Sequence, residues 1–191
     1  PLIIAKPGPE DDLKVDSQLV AFLDFPPTYL SLLGIEPPDY MQGRTFDGDY
    51  EDNSPRDYVY AALDRIDEIP EKARWVRDRN YAYVRNYRPG TPEYIDNTYR
   101  LQVPIMRELL REKEAGRLNE DQLEWFQPRP EEQLYDLAKD PYELNSVHDD
   151  PEYAEVLVRM REAMNDWQEK YGDQADMTEL QRIEAGWPGL V

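Results

Sequence analysis

Apolar and polar positions along this chain recur with two periods, and the switches between them mark its elements. Leu2 to Ala5 is a continuous apolar run closed by Lys6-Pro7-Gly8-Pro9, the pattern of a strand buried on both faces. From Ser17 the spacing of Leu19, Val20, Phe22 and Leu23 predicts a helix capped by Asp16 or Ser17. Pro26-Pro27 interrupts it, and Tyr29, Leu30, Leu32 and Leu33 form a second short helix stopped by Gly34. Residues 36–55, rich in Pro, Gly, Asp and Tyr, read as a surface connection.

The period then shortens. Tyr58 to Leu63 reads as a strand, and Ala73–Val76 with Tyr81–Tyr87 reads as a hairpin turning at Asp78-Arg79-Asn80. Tyr81, Tyr83, Arg85 and Tyr87 share one face of it. That face suits packing on a helix or stacking on a sugar. A helix starts near Val103 with Pro104 in its first turn, and Leu118 to Trp125 forms a shorter one. Gln133 to Leu137 alternates as a half-buried strand and is broken by Lys139-Asp140-Pro141. Asp149-Asp150-Pro151 combines an Asp N-cap with proline at the first helical position. The helix it opens runs to Tyr171, with Tyr153, Val156, Leu157, Met160, Met164, Trp167 and Tyr171 on one face and Gly172 closing it. A polar tail follows, with a weak helical stretch before Trp187-Pro188-Gly189. The predicted class is α+β: a small antiparallel sheet of about four strands packed by a long C-terminal helix, preceded by a strand and helices that belong to something else.

Charge narrows the function. With 22 Lys and Arg against 41 Asp and Glu, the 191 residues carry a net charge of −19. Such a surface repels phosphate backbones and anionic bilayers, so neither nucleic acid nor membrane is expected as a partner. No apolar run approaches the roughly 20 residues of a membrane helix. The absence of cysteine excludes disulfides, thiolate metal sites and a cysteine nucleophile within the chain.

Catalytic sets are scarce. His148, the single histidine, lies in a polar turn and reads as a surface residue. Asp47, Asp49, Glu51 and Asp52 lack the spacing of a calcium loop and read as a solvated acidic stretch. The one dense polar constellation is Asp64-Arg65-Ile66-Asp67-Glu68 with Arg74 and Arg77, between two predicted strands. Arginine forks suit sulfate, phosphate or carboxylate; the same residues also suit exposed ion pairs.

Several segments, taken in order, resemble the sulfatase family. Pro1-Leu2-Ile3-Ile4 with Lys6-Pro7-Gly8 is similar to the strand and turn that follow the family's catalytic lysine segment. Val20-Ala21-Phe22-Leu23-Asp24-Phe25-Pro26-Pro27-Thr28, continuing to Leu33-Gly34-Ile35 and Gly43-Arg44, resembles its Val-x-x-x-Asp-x-x-Pro-Thr block. Val76 to Tyr87 resembles its Tyr-rich hairpin, and Glu132-Gln133-Leu134-Tyr135-Asp136-Leu137 with Asp140-Pro141-Tyr142-Glu143-Leu144-Asn145 resembles the mark of its C-terminal subdomain. Asp64-Arg65-x-Asp67-Glu68 and Leu118-Asn119-Glu120-x-Gln122 are most similar to the branch that includes heparan N-sulfatase, from whose acidic-aromatic wording Ile69-Pro70-Glu71-Lys72 departs.

The resemblance implies a C-terminal portion of a sulfatase that hydrolyses sulfate esters or N-sulfates, with residues 1–48 ending an alkaline-phosphatase-like α/β domain and 49–191 forming the C-terminal subdomain. It implies formylglycine and Ca2+ in the parent enzyme, a missing N-terminal half as partner, a sulfated sugar as substrate, and a periplasmic or secreted location. The family's Cys/Ser-x-Pro/Ala-x-Arg motif and metal ligands are not found in this chain. The segment alone is therefore expected to be inactive, with Asp64, Arg65, Asp67, Glu68 and Arg74 shaping the substrate pocket. An acidic non-catalytic module and a related phosphatase-type hydrolase are the alternatives.

Overall fold

The computed structural model describes residues 2–5, 15–174 and 177–186. The predicted turn at 6–9 and Trp187-Pro188-Gly189 lie outside the described residues. The chain forms two compact units, Pro1–Arg56 and Asp57–Val191.

In the first unit, helix α1 spans Phe25–Leu32, preceded by a single 3-10 turn at Phe22–Asp24. The sequence places a break at Pro26-Pro27, but these prolines begin the helix. Their missing N–H groups fall among the first-turn donors that have no partner in any helix, so they cost nothing there. Residues 17–20, predicted as helical, carry no helix, and Leu2–Ala5, predicted as a strand, have no ladder partner among the described residues.

The unit is organised around Asp24, whose side chain is 1% exposed. Asp24 accepts from the N–H of Ala21 (2.7 Å) and of Arg44 (2.8 Å) and from both terminal nitrogens of Arg56. Thr28 Oγ1 donates to the Asp24 carbonyl at 2.7 Å and accepts from Phe46 N–H at 3.2 Å. A Cβ at Gly43 would lie 1.9 Å from the Leu23 carbonyl oxygen, so only glycine lets the returning chain approach this closely. The Asp-x-x-Pro-Thr and Gly-Arg wording is therefore one polar hub. Ile3, Phe22 and Leu33 remain exposed around it.

The second unit is a four-stranded antiparallel sheet in chain order: β1 Val59–Ile66, β2 Ile69–Arg77, β3 Tyr81–Asn86 and β4 Glu132–Asp136. Between β3 and β4 lie α2 (Pro104–Glu114) and α3 (Glu120–Glu124), the latter closed at its start by a reciprocal Asn119–Gln122 box. Helix α4, Ala154–Tyr171, crosses one face. Asp150 accepts from Glu152 N–H at its entry, and Gly172 ends it at a left-handed φ of +63°. A last helix, α5, spans Glu179–Gly186.

Register explains the core. Tyr60, Val76, Tyr83 and Leu134 stand opposite one another across all four strands. Val76, Tyr83 and Leu134 are buried under Leu157, Met160 and Met164 of α4, and Tyr60 stacks on Trp167 at 5.2 Å between ring centroids. Each large apolar side chain buried here contributes about 1.5–3 kcal/mol. The tyrosine-bearing face of the hairpin thus packs on a helix. One row further along the same face the residues are Ala62, Arg74, Arg85 and Glu132. They meet α4 through polar contacts: Arg85 donates to Asn165 at 2.9 Å and Gln168 at 3.1 Å, and Arg161 pairs with Glu132.

Burial pushes the Asp24 carboxyl up, but hydrogen bonds from Arg56, Ala21 N–H and Arg44 N–H outweigh it and hold the pKa below the ordinary 3.8. Its stabilisation is complete above that value and is lost as pH falls through the lowered folded-state pKa. Asp24→Ala strands Arg56 and is expected to cost about 3 kcal/mol at pH 7. Hydrogen exchange of the α1 amides measures that loss, and the gap between variant and wild type closes in strong acid.

Candidate functional site

The constellation predicted as a loop is the tip of the β1–β2 hairpin. Asp64, Arg65 and Arg74 lie within the strands, and Asp67-Glu68 is the two-residue turn between Ile66 and Ile69. Asp67 takes a φ of +50°, a left-handed conformation that aspartate tolerates better than most side chains. Its carboxylate accepts from Asn97 Nδ2 at 3.3 Å. The register shifts between Leu63 and Arg65, so that Glu71 and Lys72 oppose the single Asp64. Such a bulge re-aims a side chain at the end of a sheet.

Arg65 and Arg74 have different environments. The Arg74 side chain is 1% exposed, and all five of its N–H groups are used. Nε donates to Asp173 Oδ2 at 2.9 Å. One terminal nitrogen donates to Asp173 Oδ1 at 2.9 Å and Asp64 Oδ1 at 3.0 Å, and the other to the carbonyls of Leu63 at 3.1 Å and Ala73 at 2.9 Å. Burial opposes its charge, yet these carboxylates hold its pKa above the ordinary arginine value. No donor is left for a ligand, so Arg74 positions Asp64. Arg65 is 40% exposed at the tip. Its Nε and one terminal nitrogen donate to the carbonyls of Asp67 at 3.2 Å and Glu68 at 3.1 Å, and the other terminal nitrogen pairs with Glu179 of α5. Asp64 also accepts from Arg182 at 3.0 Å.

The partners Asp173, Glu179 and Arg182 escape sequence reasoning, because they lie 99 to 118 residues from the strands they bind. Only the position of Asp173, directly after the helix-ending Gly172, singles any of them out.

A cleft of about 580 Å³ in this unit lies on the β4 side and is lined by Trp125, Tyr135, Tyr142, Glu143 and His148 among others. His148 Nδ1 is 3.0 Å from Ser146 Oγ. Glu143 has a φ of +56°, and burial raises its pKa. Among the described residues, no group of three or more His, Cys, Asp or Glu side chains is arranged to hold a metal ion. No helix among them is long and apolar enough to cross a membrane.

An ulvan-active sulfatase of Formosa agariphila is 43% identical over 190 residues, which is 99% of this chain and 32% of that protein. The chain is homologous to the C-terminal part of sulfatases. Human N-sulphoglucosamine sulphohydrolase is 25% identical over 88% of the chain and 36% of its own length. A solved 2-O GAG sulfatase superposes with a TM-score of 0.50 at 21% identity, over 78% of this chain and 25% of that one, and shows the shared fold. No protein-family model matches. The chain spans about a third of the length of the curated relatives. The fold of this chain is thus shared with a part of longer proteins named as sulfatases.

The Arg74 cluster sets the geometry of the tip. Arg74→Lys keeps the charge but loses the fork, leaving Asp173 and Asp64 underbonded. About 3 kcal/mol of stability is expected to be lost, read from the midpoint of urea unfolding followed by tryptophan fluorescence. Burial raises the Asp173 carboxyl, yet hydrogen bonds from Arg74 and Gln168 outweigh it and keep it ionised below the ordinary 3.8. The Arg74→Lys deficit is therefore expected to shrink as pH falls below that value.

Proposed function

We propose that this chain is the C-terminal portion of an enzyme that hydrolyses sulfate esters or N-sulfates of sugars, and that it shapes the substrate pocket without supplying the chemistry. The observation that carries this reading is the 43% identity, sustained over 99% of the chain, to a protein named for activity on ulvan. The hairpin tip is the rim. Arg65, oriented by two carbonyls of its own turn, offers a guanidinium to an acidic group on the sugar. Asp64, Asp67 and Glu68 surround it with acceptors suited to sugar hydroxyls. Arg74 stays beneath them as their support.

The residues present do not fit the family's cofactors. Formylglycine forms from Cys or Ser in a Cys/Ser-x-Pro/Ala-x-Arg motif that this chain lacks, and no described cluster fits calcium. Both groups belong to residues that precede this segment in the parent. The first unit gives a reason for such a partner: Leu2, Ile3, Ile4, Phe25, Tyr29, Leu32 and Phe46 line one largely apolar cleft on it.

The rim reading is tested in the enzyme extended with the residues that precede Pro1 in its gene. Arg65→Ala is expected to raise KM for an ulvan oligosaccharide about tenfold while changing kcat/KM for 4-nitrophenyl sulfate less than about twofold. Equal losses on both substrates would place Arg65 outside the sugar site. The 191-residue chain by itself is expected to release no detectable 4-nitrophenol.

A further inference from the structure

Helix α5 lies against the tip with an unusual balance of contacts. None of its residues is buried, and Leu180 and Ile183 are 53% and 36% exposed. What holds it is polar. Glu179 pairs with Arg65, Arg182 pairs with Asp64 at 3.0 Å, and the Met177 carbonyl just ahead of it accepts from Lys72 Nζ at 2.6 Å. The Arg65 and Glu179 side chains are 40% and 56% exposed, the setting in which ion pairs add little and salt screens them.

The helix is also locally self-contained. Thr178 and Gln181 form a reciprocal box, Gln181 N–H donating to Thr178 Oγ1 at 3.2 Å and Thr178 N–H to Gln181 Oε1 at 2.8 Å. It can therefore move without first losing its N-terminal cap. The segment's base, by contrast, is firm: Asp173 is gripped by Arg74 at two points and by Gln168 at 2.6 Å. Among the described residues, Arg182 Nε is a buried donor without an acceptor, so the closed arrangement leaves a polar group unsatisfied that an incoming anion could meet.

We infer that α5 is a displaceable strap: the Glu179 carboxylate occupies Arg65 until an anionic substituent of a sugar, a sulfate or a carboxylate, takes its place. The inference rests on the rim reading above. Glu179 is then a built-in competitor that sets how strongly an anion must bind before Arg65 accepts it. A neutral sugar offers nothing that displaces a carboxylate from a guanidinium, so the strap adds selectivity for charged sugars.

The test uses the enzyme extended with the residues that precede Pro1 in its gene, as for the rim reading. Amide exchange of residues 179–186 is followed by mass spectrometry in wild type, Glu179→Ala and Arg65→Ala, with α4 as internal reference. Glu179→Ala, or 0.5 M NaCl on wild type, is expected to speed α5 exchange about fivefold and to leave α4 unchanged. An ulvan oligosaccharide is expected to speed α5 exchange in wild type, its desulfated counterpart to do so only if sugar carboxylates suffice, and Glu179→Ala to bind it about fivefold tighter. Unchanged α5 exchange in Glu179→Ala overturns the strap whatever the sugar does. Binding that Arg65→Ala weakens but Glu179→Ala does not tighten overturns the strap and leaves the rim standing. Binding that is absent, or equal in wild type and Arg65→Ala, removes the rim and the competition together.

Discussion

One buried guanidinium constrains the second unit. Arg74 lies inside the sheet at 1% exposure, where an uncompensated charge would cost several kcal/mol. It is tolerated because five acceptors converge on it from β1, β2 and the segment beyond α4. That requirement couples distant parts of the chain. The strands must bulge at Asp64, α4 must end where Gly172 turns, and Asp173 must return to the sheet. The hairpin tip and the last helix are held near each other as a result. The cluster adds specificity of arrangement on top of the apolar row beneath α4.

The two units solve the packing problem in opposite ways. The second buries an apolar row of Val76, Tyr83 and Leu134 under a helix and flanks it on one side with a polar row. Tyr83 shows the transition: its ring is in the core, its hydroxyl donates to Glu132, and burial with that hydrogen bond pushes its pKa up to about 12. The first unit inverts the scheme, with a buried carboxylate at its centre and aromatic and aliphatic side chains outside. Under the proposed function, such an inversion suits the edge of a larger domain, whose apolar exterior would be covered in the parent.

Around the tip, strength is graded. The Arg74–Asp173 contact is buried and forked, whereas the Arg65–Glu179 contact a few residues away is half-exposed. The proposed rim would use this gradient: rigid support beneath Arg65, and an exposed ion pair that a competing anion could enter without disturbing the core.

Element types were legible in the sequence because each depends on neighbours a few residues apart. The period-2 pattern at Tyr81–Tyr87, the Asp150-Pro151 entry and the apolar face ending at Gly172 all specify structure locally. The family wording of the Asp24 and Glu132–Asn145 blocks was legible too, and the relatives' names agree with it. The tertiary structure decided the rest. Propensity reads Pro26-Pro27 as a break, but Asp24, held by Arg44 and Arg56, starts the helix there. Charge pattern alone treats Arg65 and Arg74 as equals. Only the fold separates a buried support from an exposed fork, because the carboxylates that make the difference arrive from about 100 residues further along the chain, beyond the reach of any local signal.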